Sequence, residues 1–395
     1  MISHDTTSTV SRNLWKVIAL KFLGDFLPIA PVLILFYATN GLNPSQIFTI
    51  QAAFHLAVLL LEVPSGYLAD VVGRKKTLVF GAIFFPLGMA AYAIGRSFAA
   101  FICAEAVLAV SVSMRSGCDS AMLFDSLRLL KREGEYKRFE GRCALFARTG
   151  TAVSSVAGGL LATVFLRLPF LVKVASALFM PALAISLVEP EREPRRSKNP
   201  MLDILRICRH CLREPHIRPV VLSCGLLMAS NLTALWAYFL LYRELGIGVG
   251  WFGVLFAVFQ LAGALGGSRA HAFSERFGAK AALYLALLGP VFYIMLGLIP
   301  SLWLLPLIPA NALLWNLAYP VLLERLNLAV ASDVRATVLS LAGMAGSVTF
   351  IIVSPLFGRL VDAVSLSAAF IALGAFFLVA GAFLLAAMLR HWQEG

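Results

Sequence analysis

Charge is what this sequence has least of. Only 14% of its 395 residues are Asp, Glu, Lys or Arg, against 60% hydrophobic, and the mean hydropathy is +0.85. A soluble domain of this length needs far more charge to cover its surface. Strand-type alternation is missing too, which argues against an outer-membrane barrel. Cysteine is sparse: Cys103, Cys118, Cys143, Cys208, Cys211 and Cys224 fall mostly in apolar stretches or in loops expected in the cytosol, so no structural disulfide is expected. There is no Gly-rich phosphate loop and no ATP-binding domain, so energy must come from a gradient. Nor is there a nucleophile–base or metal constellation, so neither an enzyme nor a cofactor is expected. Cys208-x-x-Cys211, with His210 and His216 nearby, has metal-like spacing but lacks a second pair. Its cysteines fit the apolar stripe of a helix, so no metal site is expected.

What is present is a series of apolar blocks of roughly 20 residues, the length that crosses a bilayer as a helix. Lipid offers the backbone no hydrogen-bond partners, so such blocks must be helical. Twelve spans are expected: 15–37, 46–68, 77–95, 98–127, 141–165, 170–188, 218–241, 250–272, 280–299, 301–324, 337–361 and 366–389. The first apolar run is too long for a signal-peptide core and reads as a retained span. The net charge of +12 could suggest nucleic acid, but its distribution excludes that. Basic residues crowd alternate connections: Arg74, Lys75 and Lys76; then Arg128 to Arg138; then 192–218. Lys and Arg gather on the cytoplasmic side, so both termini are expected in the cytosol of a multi-pass inner-membrane protein.

The connection 189–217 opens on EPEREPRRSKNP, a charged, proline-rich linker. Met201, Leu202, Ile204, Leu205, Cys208, Cys211 and Leu212 then recur at helical spacing among arginines. That pattern predicts an amphipathic helix on the inner leaflet. The expected organisation is a six-helix bundle over 1–188, the linker, and a second six-helix bundle over 218–395.

After the second span comes Gly66-Tyr67-Leu68-Ala69-Asp70-Val71-Val72-Gly73-Arg74-Lys75-Lys76-Thr77-Leu78. Gly66 would allow close helix approach. Asp70 is an acid at a helix end, Gly73 suits a tight turn, and the basic trio suits an anionic leaflet. The stretch resembles the signature between spans two and three of major facilitator superfamily transporters, with Val71 in place of a usual basic residue. A weaker echo, His271 to Leu283 with Glu275, Gly278 and Lys280 in register, lies between spans eight and nine, as an internal repeat requires. The resemblance covers the whole chain. It implies an all-α fold of two pseudo-symmetric six-helix bundles, alternating access, and a gating role for Gly66, Asp70, Gly73, Arg74 and Lys75. Drug/proton antiporters of the superfamily carry Gly-x-x-x-Gly-Pro-x-x-Gly-Gly in span five. Here Gly150 to Gly159 keeps the outer glycines but has Ser154 and Ser155 for Gly-Pro, which weakens the antiporter assignment.

Ionisable groups at bilayer depth cost ~2.5–3.5 kcal/mol each on insertion scales and are functional candidates by default. The first half holds Lys21, Asp25, Glu62, Glu105, Arg115, Asp119, Arg148 and Lys173; the second half has almost none. Counting depth at ~1.5 Å per residue sets Asp25 level with Arg115, Asp119 with Arg148, Lys21 with Glu62, and Asp125 with Arg142. Arg115 and Asp119 are four apart, on one helix face. The expectation is a cavity-wall network of Asp25, Arg115, Asp119 and Arg148 in which one carboxylate takes up the proton. The alternative is a set of static ion pairs. Lys21 and Glu62 are expected to pair at a helix end. In the second half, Asn311, Trp315, Asn316 and Tyr319 are candidates for an aromatic, neutral cavity wall.

The reading is a secondary transporter of a small organic solute, driven by H⁺, monomeric in the bilayer, with efflux slightly favoured. Proton-driven import of a nutrient or metal chelate is the alternative. A non-transporting sensor or scaffold on the same fold is a weaker one.

Overall fold

In the computed structural model, residues 4–190, 209, 211–330 and 334–390 are described. The linker's expected amphipathic helix lies almost wholly outside them, as do Cys208 and His210 of the metal-like spacing. The described residues are helical throughout. We number the helices α1 (His4–Asp25), α2 (Leu33–Thr39), α3 (Pro44–Val72), α4 (Arg74–Ile94), α5 (Phe98–Arg115), α6 (Cys118–Leu129), α7 (Tyr136–Val164), α8 (Leu168–Ala177) and α9 (Phe179–Ile185). They continue as α10 (Arg218–Glu244), α11 (Val249–Phe277), α12 (Ala279–Ala286), α13 (Leu288–Leu298), α14 (Leu307–Ala329), α15 (Arg335–Ala363) and α16 (Leu366–Leu389).

Eleven stretches among the described residues are long and apolar enough to span a membrane. The twelfth expected span lies on α7. That helix has 29 residues, but Lys137, Arg138, Glu140, Arg142 and Arg148 lower the apolarity of its first half. Large apolar side chains stand outward along the helices: Leu60, Phe80, Leu160, Val379 and Phe383 are all more than half exposed. In water such a surface would aggregate; here it is the face that acyl chains cover. Trp303, 90% exposed in the short 3-10 helix Leu302–Leu304 that opens the tenth span, suits an interfacial anchor.

Two compact units form. One holds the chain up to Phe36, the stretch from Ala53 through α9, and Val249–Ala257. The other holds Tyr37–Ala52, the stretch from α10 to Gly248, and everything from Val258 onward. The start of α11 thus packs in the first unit, where glycine permits it: a Cβ at Gly253 would strike the carbonyl of Ser155 on α7. The start of α3 packs in the second unit. There Asp362 at the end of α15 accepts from the Ser45 backbone N–H at 2.9 Å, and Phe48 meets Phe357 edge-on at 4.9 Å.

Expected span nine divides at Leu287, and three expected spans of the first unit are broken as well. Span one divides between Asp25 and Ala30, around Pro28 and Pro31. Span four divides at Ser116–Gly117, where Gly117 takes φ 69°. Span six divides at Leu178. Arg115 therefore closes one half-helix and Asp119 opens the next, so the expected shared face of the pair is lost.

Candidate functional site

The break in span one frees backbone groups that cannot stay unpaired in hydrocarbon. Several find a specific partner. Lys173 of α8, fully buried, donates to the carbonyls of Leu23 at 2.6 Å and Gly24 at 3.2 Å, at the C-terminal, electronegative end of α1. The Leu27 N–H donates to Ser154 Oγ on α7 at 2.9 Å. The Asp25 carbonyl accepts from Thr151 Oγ1 at 2.7 Å. Gly158 leaves room for the Pro28 carbonyl, which a Cβ would strike. Of the two serines that depart from Gly-Pro, Ser154 satisfies the break, and α7 runs on uninterrupted.

Around the break sit the ionisable groups. The Asp25 side chain is exposed; Arg115, Lys173 and Lys21 are the cations whose fields reach it. No hydrogen bond or ion pair within 4.0 Å engages either the Asp25 carboxylate or the Arg115 guanidinium among the described residues. Arg115 is held by shape. Its guanidinium carbon lies 5.4 Å from the centre of the Phe85 ring. Gly24 and Gly81 clear space for it: a Cβ at Gly24 would strike Nη2, and one at Gly81 would stand 2.8 Å from Cγ. Lys173 Nζ lies 4.7 Å from the same Phe85 ring.

Nearer the basic loops is a second cluster. Lys21 Nζ lies 2.7 Å from Glu140 Oε1, 2.9 Å from Ser120 Oγ and 3.8 Å from Asp119 Oδ2. Ser120 Oγ donates to Glu140 at 2.8 Å, and its N–H to Asp119 Oδ1 at 2.7 Å. Glu140 Oε2 is buried without a hydrogen-bond partner.

This corrects two expected pairings. Lys21 pairs with Glu140 and Asp119, not with Glu62. Glu62 is exposed on α3 and engages no partner among the described residues. Arg148 is likewise exposed and forms no ion pair there, so Asp119 takes Lys21 in its place. The reason is rotational. Equal depth sets a residue's height but not its face, and the turn at Gly117 re-aims α6. At the boundary, Asp125 pairs with Arg74, while Arg142 lies over Trp15 and Phe139, each at 5.3 Å. Glu140 and Glu189 were not foreseen. Glu140 lies one residue outside the expected span five, where the apolar pattern gives no signal.

The motif after α3 is built around Gly73, whose φ of 114° is open to glycine alone without strain. It starts α4, whose free N–H groups at Arg74 and Lys75 donate to the Glu189 carboxylate at 2.9 and 2.5 Å. A carboxylate at a helix N-terminus is favourable by charge and by hydrogen bonding. Arg74 turns to Asp125 and to the Ala121 carbonyl on α6, the latter at 2.5 Å. Asp70 is exposed at the end of α3. Gly66 differs from expectation: nothing lies within 4 Å of where its Cβ would be, so no helix approaches it there. Gly278 in the echo has φ 82° and ψ 149°, matching Gly73 at 114° and 147°.

In the second unit, Asn311 is buried and donates to Tyr238 Oη and Tyr293 Oη, each at 3.2 Å. Trp315 Nε1 donates to the Leu227 carbonyl at 2.9 Å, and its ring stacks on Tyr319 at 5.0 Å. Asn316 bonds within its own helix, to Ala312 at 2.8 Å. Asn311 and Trp315 line a cavity of about 60 Å³. Solute pockets run to roughly 300–1,000 Å³, so this cavity is too small for a drug-sized solute. Hydrogen bonds that the expected cavity wall would offer a solute are spent inside the bundle.

A family model described as Major Facilitator Superfamily matches residues 14–330. The chain belongs to the major facilitator superfamily. It is therefore a multi-pass membrane protein of a family of secondary transporters. Among curated relatives of this superfamily member, Quinolone resistance protein NorA of Staphylococcus aureus (strain MRSA252) is 25% identical over 250 residues, 62% of this chain. That match spans 63% of the relative's own length. Multidrug resistance protein 1 of Bacillus subtilis (strain 168) is 26% identical over 194 residues, 49% of this chain and 48% of the relative. Among solved structures, the nucleoside transporter NupG superposes with a TM-score of 0.79 at 12% identity, covering 96% of this chain and 100% of that one. A bacterial homologue of the lysosomal transporter Spinster superposes at 0.75, with 18% identity and full coverage of both chains. At these identities the structural likeness speaks for the fold.

Proposed function

We propose that this superfamily member is a proton-coupled exporter of small organic solutes that works by alternating access in the inner membrane, with both termini in the cytosol. The observation that carries the coupling is the pair of unengaged opposite charges, Asp25 and Arg115, at the broken ends of α1 and α5. A permanently closed ion pair has no reason to exchange a proton. A carboxylate left without a partner in a site that alternately wets and dries changes its proton affinity as the site changes. Asp119, Lys21 and Glu140 form the adjoining relay towards the basic side. The loop at Gly73 and Arg74, tied to Asp125 and Glu189, serves as the gate.

The outward direction rests on the resistance proteins of S. aureus and B. subtilis, whose names speak of quinolone and multidrug resistance. A second reading, proton-driven uptake, draws on Ser154 and Ser155 standing where drug/proton antiporters carry Gly-Pro. The two are separated in proteoliposomes holding the purified chain, with a panel of amphipathic dyes and drugs and an imposed pH gradient of either sign. Solute moving against the proton flow is the expected result. Solute moving with the protons favours import, and solute indifferent to the gradient removes proton coupling.

A further inference from the structure

We propose that Arg115 is a receptor for the carboxylate of an amphipathic organic solute. This rests on the transporter reading and adds the substrate's chemical class. An arginine in the apolar interior of a bundle is costly unless its charge and its donors are met. Most such residues meet that cost with an acid at hydrogen-bond distance. Arg115 does not: its guanidinium engages no acceptor among the described residues, and is positioned instead by the Phe85 ring at 5.4 Å and by the room left at Gly24 and Gly81. Shape fixes the fork while its donors remain unspent. A planar fork of N–H groups matches a carboxylate in two parallel hydrogen bonds.

Local charge sets the class of ligand. Lys173 shares the Phe85 ring with Arg115 and Asp25 stands within the field of both. Two cations and one carboxylate leave a single positive charge. A monocarboxylate neutralises it, whereas a phosphate dianion would overshoot. Asp119, the other acid whose field reaches Arg115, is already engaged with Lys21. The Phe85 ring supplies an apolar surface beside the fork, which suits an aromatic or alkyl body on the solute. Protonation of Asp25 would remove a local repulsion against an incoming carboxylate, tying solute binding to the proton.

The test is chemical and independent of transport. Phenylglyoxal modification of Arg115 is followed by peptide mass spectrometry on the full chain in liposomes. The probes are naphthalene-2-carboxylate, its methyl ester, and 2-naphthylmethylamine. Arg115 should react in the unliganded protein. The carboxylate should slow that reaction at least about tenfold more than the ester or the amine, a difference of ~1.4 kcal/mol in binding. In Gly24→Ala the new methyl displaces the guanidinium, so Arg115 should stay reactive and lose the protection. An unreactive Arg115, or equal protection by ester and carboxylate, would overturn the proposal. Protection without transport in proteoliposomes would leave the carboxylate site standing and remove the transporter reading. Should Gly24→Ala not fold, the comparison of probes on the natural sequence decides alone.

Discussion

At the residue scale, the site is organised by what each polar group is given to do. Ser154 accepts from the Leu27 N–H released by the break in span one, and its hydroxyl donates to the Thr151 carbonyl at 3.1 Å. Ser155, its neighbour, bonds only to the Thr151 carbonyl of its own helix at 2.6 Å. Removing the first hydroxyl orphans a buried donor, at a cost of about 1–3 kcal/mol; removing the second orphans none. Ser154→Ala should therefore lower the apparent Tm in detergent clearly, and Ser155→Ala should leave it almost unchanged. Equal shifts would mean that the hydrogen bond to Leu27 does not hold the break. These roles were only partly legible beforehand. The sequence marks both serines as departures from Gly-Pro, but the partner lies 127 residues away and depends on where span one breaks.

At the element scale, broken helices matter more than whole ones. Periodicity and length reveal twelve apolar blocks because each must cross ~30 Å of hydrocarbon. They do not reveal which blocks bend. Span four reads as one block from 98 to 127, yet Gly117 divides it and separates Arg115 from Asp119. None of the four depth-matched pairs closes into an ion pair, because depth does not set which face a side chain takes. The turn at Gly73 was more legible, since a glycine between a helix end and a basic run marks a helix boundary. Gly73 at φ 114° is where an L side chain is strained by roughly 1–3 kcal/mol. Gly73→Ala should move the start of α4 off the Glu189 carboxylate, cutting exchange in proteoliposomes several-fold while the purified yield is retained. Unchanged exchange would remove the loop from the gate.

At the scale of the whole molecule, ionisable groups within apolar stretches are concentrated in the first unit, while the second holds a hydrogen-bonded neutral cluster. Asn311, Tyr238, Tyr293 and Ser230 bond with one another, and Trp315 is bonded to the backbone of Leu227. Composition alone exposes this asymmetry, because charges in apolar blocks are few and easily counted. It does not show that Asn311 and Trp315 are already hydrogen-bonded within the bundle, which needs coordinates. If the proposed coupling role of the first half holds, exchange of solute should persist when coupling is lost.

The most direct measurement compares Asp25→Asn with the natural sequence in the same proteoliposomes, using a solute already found to be transported. Counterflow, which needs no ion gradient, is read beside accumulation driven by an imposed pH gradient. Asparagine keeps the size and loses the proton site. Counterflow retained, with gradient-driven accumulation abolished, is the expected result. Accumulation that still follows the pH gradient would contradict the assignment of coupling to Asp25.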